Sequence, residues 1–162
     1  MDIEVKIGEI AVAKGADHLV TSGVGSCVVI TFYDPKNRIG GLAHAMVPFR
    51  RSSFVVRGSS TESRITNHES RDTKYVDIAI DEVLKKLLSQ GAKREDLETK
   101  LIGGANMFSA FASDIGMDNV ISARDKLKKE GIKIVGESVG GSQGRSIEFS
   151  VASGIVTVKM KF

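Results

Sequence analysis

The sequence contains a single cysteine, no tryptophan, two prolines and only two tyrosines among its 162 residues. One cysteine excludes an intramolecular disulfide framework and a multi-cysteine zinc site. With Tyr33 and Tyr75 alone and no tryptophan, there is no aromatic and basic platform on which nucleic-acid bases could stack. No apolar run approaches the ~20 residues of a membrane-spanning helix, and the N-terminus lacks the pattern of a secretory signal. We therefore expect a protein of the reducing cytoplasm that is not itself inserted in a membrane.

The charge balance is close to neutral, with 23 basic and 20 acidic residues and a net charge of +3. Such a small, dispersed excess does not indicate a nucleic-acid partner. Hydrophobic residues make up 41% of the chain, which is enough for a core and excludes disorder throughout. The length suits one domain over residues 1–162. Nothing demands more than a monomer.

Apolar patterns predict strands at both ends and in the first third of the chain. Residues 2–7 and 156–162 alternate between apolar and polar side chains, as half-buried strands do. Continuous apolar runs at residues 27–32 and 39–47 predict more deeply buried strands. The Ser153-Gly154 pair predicts a hairpin turn between the last two strands.

Two later segments have the periodicity of helices. The first has an apolar stripe over residues 76–88, and Gly91 is its expected C-terminal cap. The second follows Asp118 and ends at Gly131. Its apolar stripe consists of Val120, Ala123 and Leu127.

Residues 50–72 follow neither pattern. They hold five arginines and three acidic residues among many Ser and Thr, which predicts a long exposed loop. Residues 107–112 fit either a helical turn or a loop anchored by apolar side chains. No repeat or linker divides the chain. The order of elements predicts an α/β fold, a layered α/β sandwich with mixed, largely antiparallel sheets and two main helices.

Cys27 is the candidate nucleophile. Free cysteine is among the most buried residue types, so a plain core position is one interpretation. However, Gly23 and Gly25 permit a sharp turn just before a buried strand. Such a turn presents a side chain at the rim of a sheet and aims backbone N–H groups at one point. An acyl-transfer nucleophile requires that geometry, with Gly25 and Ser26 supplying backbone support for an oxyanion.

A thiol needs a base to react well near neutral pH, and the candidates are His18, His44 and His68. His44 lies in an apolar strand that follows the Cys27 strand after a short turn. Antiparallel pairing would bring the two side chains to the same end of neighbouring strands. A hydrogen-bonded core histidine is the alternative. The Thr21 hydroxyl could accept from the imidazole N–H, although a β-branched strand residue fits equally well.

Two glycine-rich segments, residues 103–107 and 140–145, suggest phosphate-binding loops at first sight. The first lacks the Gly-Lys-Ser/Thr end of a P-loop, and the second precedes a strand rather than a helix. Tight turns or the walls of a substrate cleft fit better, and Gly103, Gly104 and Asn106 are the cleft candidates. We expect no cofactor and no metal.

Five ordered blocks together resemble CheD, the family of chemoreceptor glutamine deamidases. The blocks are the segment from Thr21 to Val28 with its Gly-Ser-Cys, the histidine block at 40–48, and residues 100–108, 115–120 and 140–145. They keep their order over nearly the whole chain. The resemblance implies a Cys–His–Thr triad at Cys27, His44 and Thr21. It also implies a fold similar to the catalytic domains of deamidating bacterial toxins.

The resemblance further implies an activity and its partners. The expected reaction converts glutamine side chains of chemoreceptors to glutamate, at the cytoplasmic domains of these receptors. The expected partners are the receptors, the phosphatase CheC and, through CheC, phosphorylated CheY. An adaptor that mainly binds CheC and receptors is the alternative function. Another thiol amidase or esterase would use the same triad.

Overall fold

The computed structural model describes residues 1–48, 72–107 and 114–161. A four-stranded sheet has the order β1-β3-β8-β9, and a five-stranded sheet has the order β2-β5-β4-β6-β7. The strands are β1 (Asp2–Glu4), β2 (Ile10–Lys14), β3 (His18–Val24), β4 (Val28–Asp34), β5 (Ile39–Ala45), β6 (Glu98–Gly103), β7 (Lys133–Val139), β8 (Arg145–Ser150) and β9 (Val156–Met160). The helices are α1 (Val76–Ser89), α2 (Ile115–Lys129) and a 3-10 turn (Arg94–Asp96).

The five-stranded sheet is the middle of three layers. Val28 and Ile30 on one face pack with the apolar sides of α1 and α2. Val29 and Leu42 on the other face pack with the four-stranded sheet. Strands β4 and β5 therefore bury both faces, which explains their continuous apolar sequence. Described strand pairs are antiparallel except β1–β3 and β6–β7, so the predicted α/β class with mixed, largely antiparallel sheets is confirmed.

Strands β4 and β5 form the antiparallel hairpin that the sequence predicts. The Asp34 carboxylate accepts hydrogen bonds from the backbone N–H groups of Lys36 and Asn37, at 3.0 and 3.2 Å, and so closes the turn. The resulting register places Val29 directly opposite His44. This register decides which side chains of the two strands share a face.

The helix ends agree with the sequence at the C-termini and differ at one N-terminus. Gly91 and Gly131 follow the two helices with φ values of +104° and +71°, as expected of C-terminal glycines. Helix α2 begins earlier than predicted, because the Asp114 side chain accepts the Met117 N–H at 3.0 Å and caps it. Asp118 instead lies in the first turn.

The expected hairpin turn near Gly154 is confirmed, since β8 and β9 pair antiparallel around it. Most of the predicted 50–72 loop, and residues 108–113 of the predicted 107–112 turn, lie outside the described residues. Asp72 is a correction to the exposed loop, because it is buried and begins a short helical turn that leads into α1. In the described ranges, neither helix has the length and hydropathy to span a membrane.

Candidate active site at the start of the β4–β5 hairpin

The structure brings together two of the predicted site residues, Thr21 and His44. Thr21 belongs to β3 of the four-stranded sheet, and His44 belongs to β5 of the middle sheet. Both side chains point into the space between the sheets, and both are buried. Thr21 Oγ1 lies 2.7 Å from His44 Nδ1 and 2.6 Å from the carbonyl oxygen of Val5.

These two distances determine where the imidazole carries its proton. The Val5 carbonyl can only accept, so the single hydroxyl hydrogen of Thr21 is donated to it. Thr21 Oγ1 must then accept from an N–H at His44 Nδ1. In the neutral ring the other nitrogen, Nε2, is therefore an unprotonated acceptor. Nε2 is buried and has no hydrogen-bond partner among the described residues.

The environment also determines the charge of the imidazole. His44 is fully buried, and this burial lowers its pKa from the ordinary 6.5 to about 4. At neutral pH the ring is uncharged, with a free lone pair on Nε2. Because bulk solvent does not reach that nitrogen, a proton reaches it only from a group that lies directly beside it.

Cys27 occupies the half-buried bend just before β4. It precedes Val29 by two residues, so it shares the face of His44 and lies diagonally across the strand pair from it. Its side chain packs against the same inter-sheet cluster as Val29. Burial raises the pKa of the Cys27 thiol above its ordinary 9.0. No described hydrogen bond joins the thiol to His44, so their pairing stays a prediction.

The backbone around Cys27 is anchored by the first glycine-rich segment. Gly23, with φ of +69°, lies within β3 at the register shift between Thr21 and Val24, just before the bend. The carbonyl oxygen of Gly25 accepts the Ala105 N–H at 2.9 Å, and that of Cys27 accepts the Gly104 N–H at 2.7 Å. We call residues 25–27 the nucleophile turn. The Ser26 N–H donates to no acceptor in the described part of the chain.

Comparison with known proteins supports the resemblance found in the sequence. A family model described as CheD chemotactic sensory transduction matches residues 59–160, which is more than half of the chain. The chain belongs to the CheD family. This confirms the family predicted from the five ordered blocks.

Relatives of this CheD-family chain cover nearly all of it. One from Thermococcus kodakarensis is 39% identical over 98% of this chain and 92% of its own length. Others from Pyrococcus abyssi and Geobacter metallireducens are each 40% identical, over 98% and 97% of this chain and 91% and 92% of their own lengths. The first two are named "Probable chemoreceptor glutamine deamidase CheD", and the third "Probable chemoreceptor glutamine deamidase CheD 2".

The predicted cleft residues of this CheD-family site lie behind the nucleophile turn. Gly103 and Gly104 are buried and have positive φ values of +111° and +63°. A Cβ at Gly103 would overlap the carbonyl oxygen of Cys27. Asn106 is half-buried, and its backbone N–H donates to Gly141 at 2.8 Å. These contacts give the glycines a packing role, whereas substrate contact by any of the three stays a prediction.

Two buried polar residues of the site have no role that the sequence predicts. Asn119 on α2 is fully buried, and its Nδ2 donates to the carbonyl oxygens of Ser26 and Met46 at 2.8 and 3.0 Å. Arg145 is also buried and donates to the carbonyl oxygens of Gly103 and Gly140 at 3.3 and 2.9 Å. Asn119 interrupts the apolar stripe of α2, which is a signal that the sequence contains.

One group of described side chains could share a cation, and it lies away from the site. His18 Nδ1 is 3.1 Å from Glu148 Oε2 and 3.5 Å from Asp2 Oδ1. Side chains alternate along β3, and Leu19 and Thr21 face the inter-sheet space. His18 precedes Leu19, so it and its two acidic partners face away from that space. The side chains are solvent-exposed to between 38% and 66%, which suits a surface ion-pair cluster.

Proposed function

We propose that this protein hydrolyses glutamine side-chain amides of chemoreceptors, with Cys27 as the nucleophile and His44 as the general base. The observation that carries the proposal is the unprotonated Nε2 of His44. Thr21 and Val5 fix the proton on the opposite ring nitrogen. The free lone pair lies on the face of the sheet that also carries Cys27. The names of the relatives support glutamine as the substrate group.

The electrostatics favour an uncharged resting pair. Burial raises the pKa of the Cys27 thiol and lowers that of His44 to about 4, so at pH 7 the thiol keeps its proton and the imidazole stays neutral. A resting thiolate–imidazolium pair is therefore disfavoured. Proton transfer from sulfur to Nε2 must accompany the attack on the substrate rather than precede it.

The reaction proceeds in two halves. His44 Nε2 takes the thiol proton while the Cys27 sulfur attacks the carboxamide carbon, which gives a tetrahedral oxyanion held by N–H groups of the nucleophile turn. The C–N bond then breaks, and the imidazolium gives its proton to the departing ammonia. This leaves a γ-glutamyl thioester. His44 next takes a proton from water, the hydroxide attacks the thioester, and glutamate leaves as the thiol is reprotonated.

A protein substrate is supported by exposed apolar side chains beside the turn. Met107 is 44% exposed, and its Cγ lies 3.3 Å from the position that a Cβ on Gly25 would take. Met46, which follows β5 directly, is 41% exposed. Methionine adapts to irregular apolar surfaces such as the side of a receptor helix. This arrangement favours glutamine in a protein over a small ester.

The same exposed methionines also suit a second function, the binding of a partner such as CheC, which would connect the protein to phosphorylated CheY. In this alternative the protein is an adaptor at the cytoplasmic domains of receptors and catalysis is secondary. A Cys27→Ala strain separates the two. Normal chemotactic signalling in that strain, together with loss of signalling in a deletion strain, would favour the adaptor.

The decisive biochemical test is ammonia release from receptor cytoplasmic domains, with mass spectrometry of the modified glutamines. We expect turnover by the wild type and none by Cys27→Ala or Cys27→Ser. Acid quenching should trap wild-type protein that carries the substrate mass less ammonia. Alkylation of Cys27 by iodoacetamide should keep accelerating above pH 9, since the thiol pKa is raised. Full activity in Cys27→Ala would refute the assignment.

A further inference from the structure

The nucleophile turn has a third anchor besides Gly104 and Ala105, and it comes from a side chain. The carbonyl oxygens of Gly25 and Cys27 accept backbone N–H groups, whereas the carbonyl oxygen of Ser26 accepts the Asn119 amide at 2.8 Å. All three consecutive carbonyls are therefore held from outside the turn. The middle one depends on a single side chain of α2.

From this contact we propose that Asn119 is a positioning residue that aims the Cys27 N–H at the oxyanion. The Ser26 carbonyl and the Cys27 N–H belong to one peptide unit, which is planar and trans. The two groups point in opposite directions, so fixing the carbonyl oxygen on Asn119 fixes the direction of the N–H. The inference rests on the proposed function, because an oxyanion forms only if Cys27 attacks an acyl carbon.

The hydrogen bond also affects the strength of the donor. When a peptide carbonyl accepts a hydrogen bond, the whole peptide unit is polarised. The N–H of that same peptide unit then becomes a better donor. Asn119 therefore both orients and strengthens the Cys27 N–H as an oxyanion donor. The Ala105 N–H does the same for the Ser26 N–H, through the carbonyl of Gly25.

Asn119 also connects the segment of the nucleophile to the segment of the base. Its second N–H donates to the carbonyl oxygen of Met46 at 3.0 Å, two residues after His44. One amide group thus fixes the end of β5 relative to the nucleophile turn. Movement of Cys27 away from the His44 strand would break one of the two hydrogen bonds.

The amide oxygen of Asn119 supports the view that this position is polar because of its two N–H donors. Asn119 Oδ1 is buried and has no hydrogen-bond partner among the described residues. An unsatisfied buried acceptor is unfavourable, so packing alone would favour an apolar residue of the same size. Because Nδ2 satisfies two carbonyl groups at once, the donors explain why a polar residue occupies this position.

The test compares Asn119→Leu, which keeps the approximate volume and removes both donors, with Ser122→Ala on the same helix. Ser122 donates to the carbonyl oxygen of Pro48 at 2.6 Å, so the control also removes one bond from α2 to the chain beyond β5. We expect Asn119→Leu to lower kcat for glutamine deamidation by about 10- to 100-fold, with KM little changed. Ser122→Ala should keep the wild-type kcat.

Alkylation of Cys27 by iodoacetamide separates positioning from damage, because this reaction forms no oxyanion. We expect its rate in Asn119→Leu to stay within about twofold of the wild type, while kcat falls. Equal losses in alkylation and in kcat would show that Asn119 only maintains the turn, and would overturn the inference. Unchanged kcat would overturn it as well.

Two further controls keep the result interpretable. If Asn119→Leu does not fold, Asn119→Ser takes its place, since serine is smaller and keeps one hydroxyl donor. The same two quantities are then compared with the wild type: kcat and the rate of Cys27 alkylation. An active wild type with an inactive Cys27→Ala upholds the proposed function. If the Asn119 variants then do not show a fall in kcat with an unchanged alkylation rate, this inference alone is refuted. Ammonia release by Cys27→Ala would instead refute the proposed function and this inference with it.

Discussion

Replacing His44 with glutamine removes an imidazole that the fold keeps uncharged, and this should change how stability depends on pH. Burial lowers the pKa of His44 from 6.5 to about 4. Between these values the unfolded chain binds a proton that the folded chain excludes, so stability rises with pH. The contribution is fully present above pH 6.5 and is lost as the pH falls towards 4. At about 1.4 kcal/mol per pKa unit, the full loss is about 3 kcal/mol.

The measurement is urea unfolding of the wild type and His44→Gln at several pH values between 4 and 7.5, the interval that brackets the lowered pKa of about 4 and the ordinary 6.5. Contributions from groups that the two proteins share cancel in the difference between the two free energies of unfolding. That difference should shift by about 3 kcal/mol in favour of the wild type from the acid to the neutral end. A difference independent of pH, or a His44 NMR titration with a midpoint near 6.5, would refute a buried neutral base.

Two further substitutions test the orientation of the base and the packing behind the nucleophile turn. Thr21→Val should leave the Nδ1–H of His44 without an acceptor, so the tautomer is no longer fixed and kcat falls by about 100-fold or more. Thr21→Ser keeps the hydroxyl and should keep most of the activity. Ammonia release measures both variants. Gly104→Ala should lower the free energy of unfolding, measured in urea, by about 2–4 kcal/mol, because its Cβ would overlap Val120. Gly140→Ala should lower it by only about 1 kcal/mol, because Gly140 also has a positive φ but has open space around it. Equal costs would contradict the packing argument.

The sequence predicts the β4–β5 hairpin because two apolar runs flank a short turn, whereas the closing role of the Asp34 carboxylate is seen only in the structure. It also predicts both C-terminal glycines of the helices. It does not distinguish Asp114 from Asp118 as the cap of α2, because the two residues are one turn apart and both favour that position. Only the backbone conformation in the folded state selects Asp114.

The site itself is predicted less completely, because its contacts cross between layers. Family blocks suggest that Thr21 orients His44, but not that the hydroxyl also donates to Val5, which determines the tautomer. Asn119 is visible in the sequence as a polar residue on the apolar face of a helix. Its acceptors, the carbonyls of Ser26 and Met46, depend on how α2 packs on the middle sheet, which local pattern does not specify.

The three-layer arrangement has a consequence for the order of folding. Thr21 belongs to the outer sheet, His44 to the middle sheet and Asn119 to the helical layer. The hairpin of β4 and β5 needs only local contacts, so it can form early, but it carries a base with no fixed tautomer until β3 docks. The nucleophile turn likewise lacks its middle anchor until α2 docks. The proposed site is therefore complete only when all three layers are docked, and a partly folded chain would lack the oriented base that the proposed reaction needs.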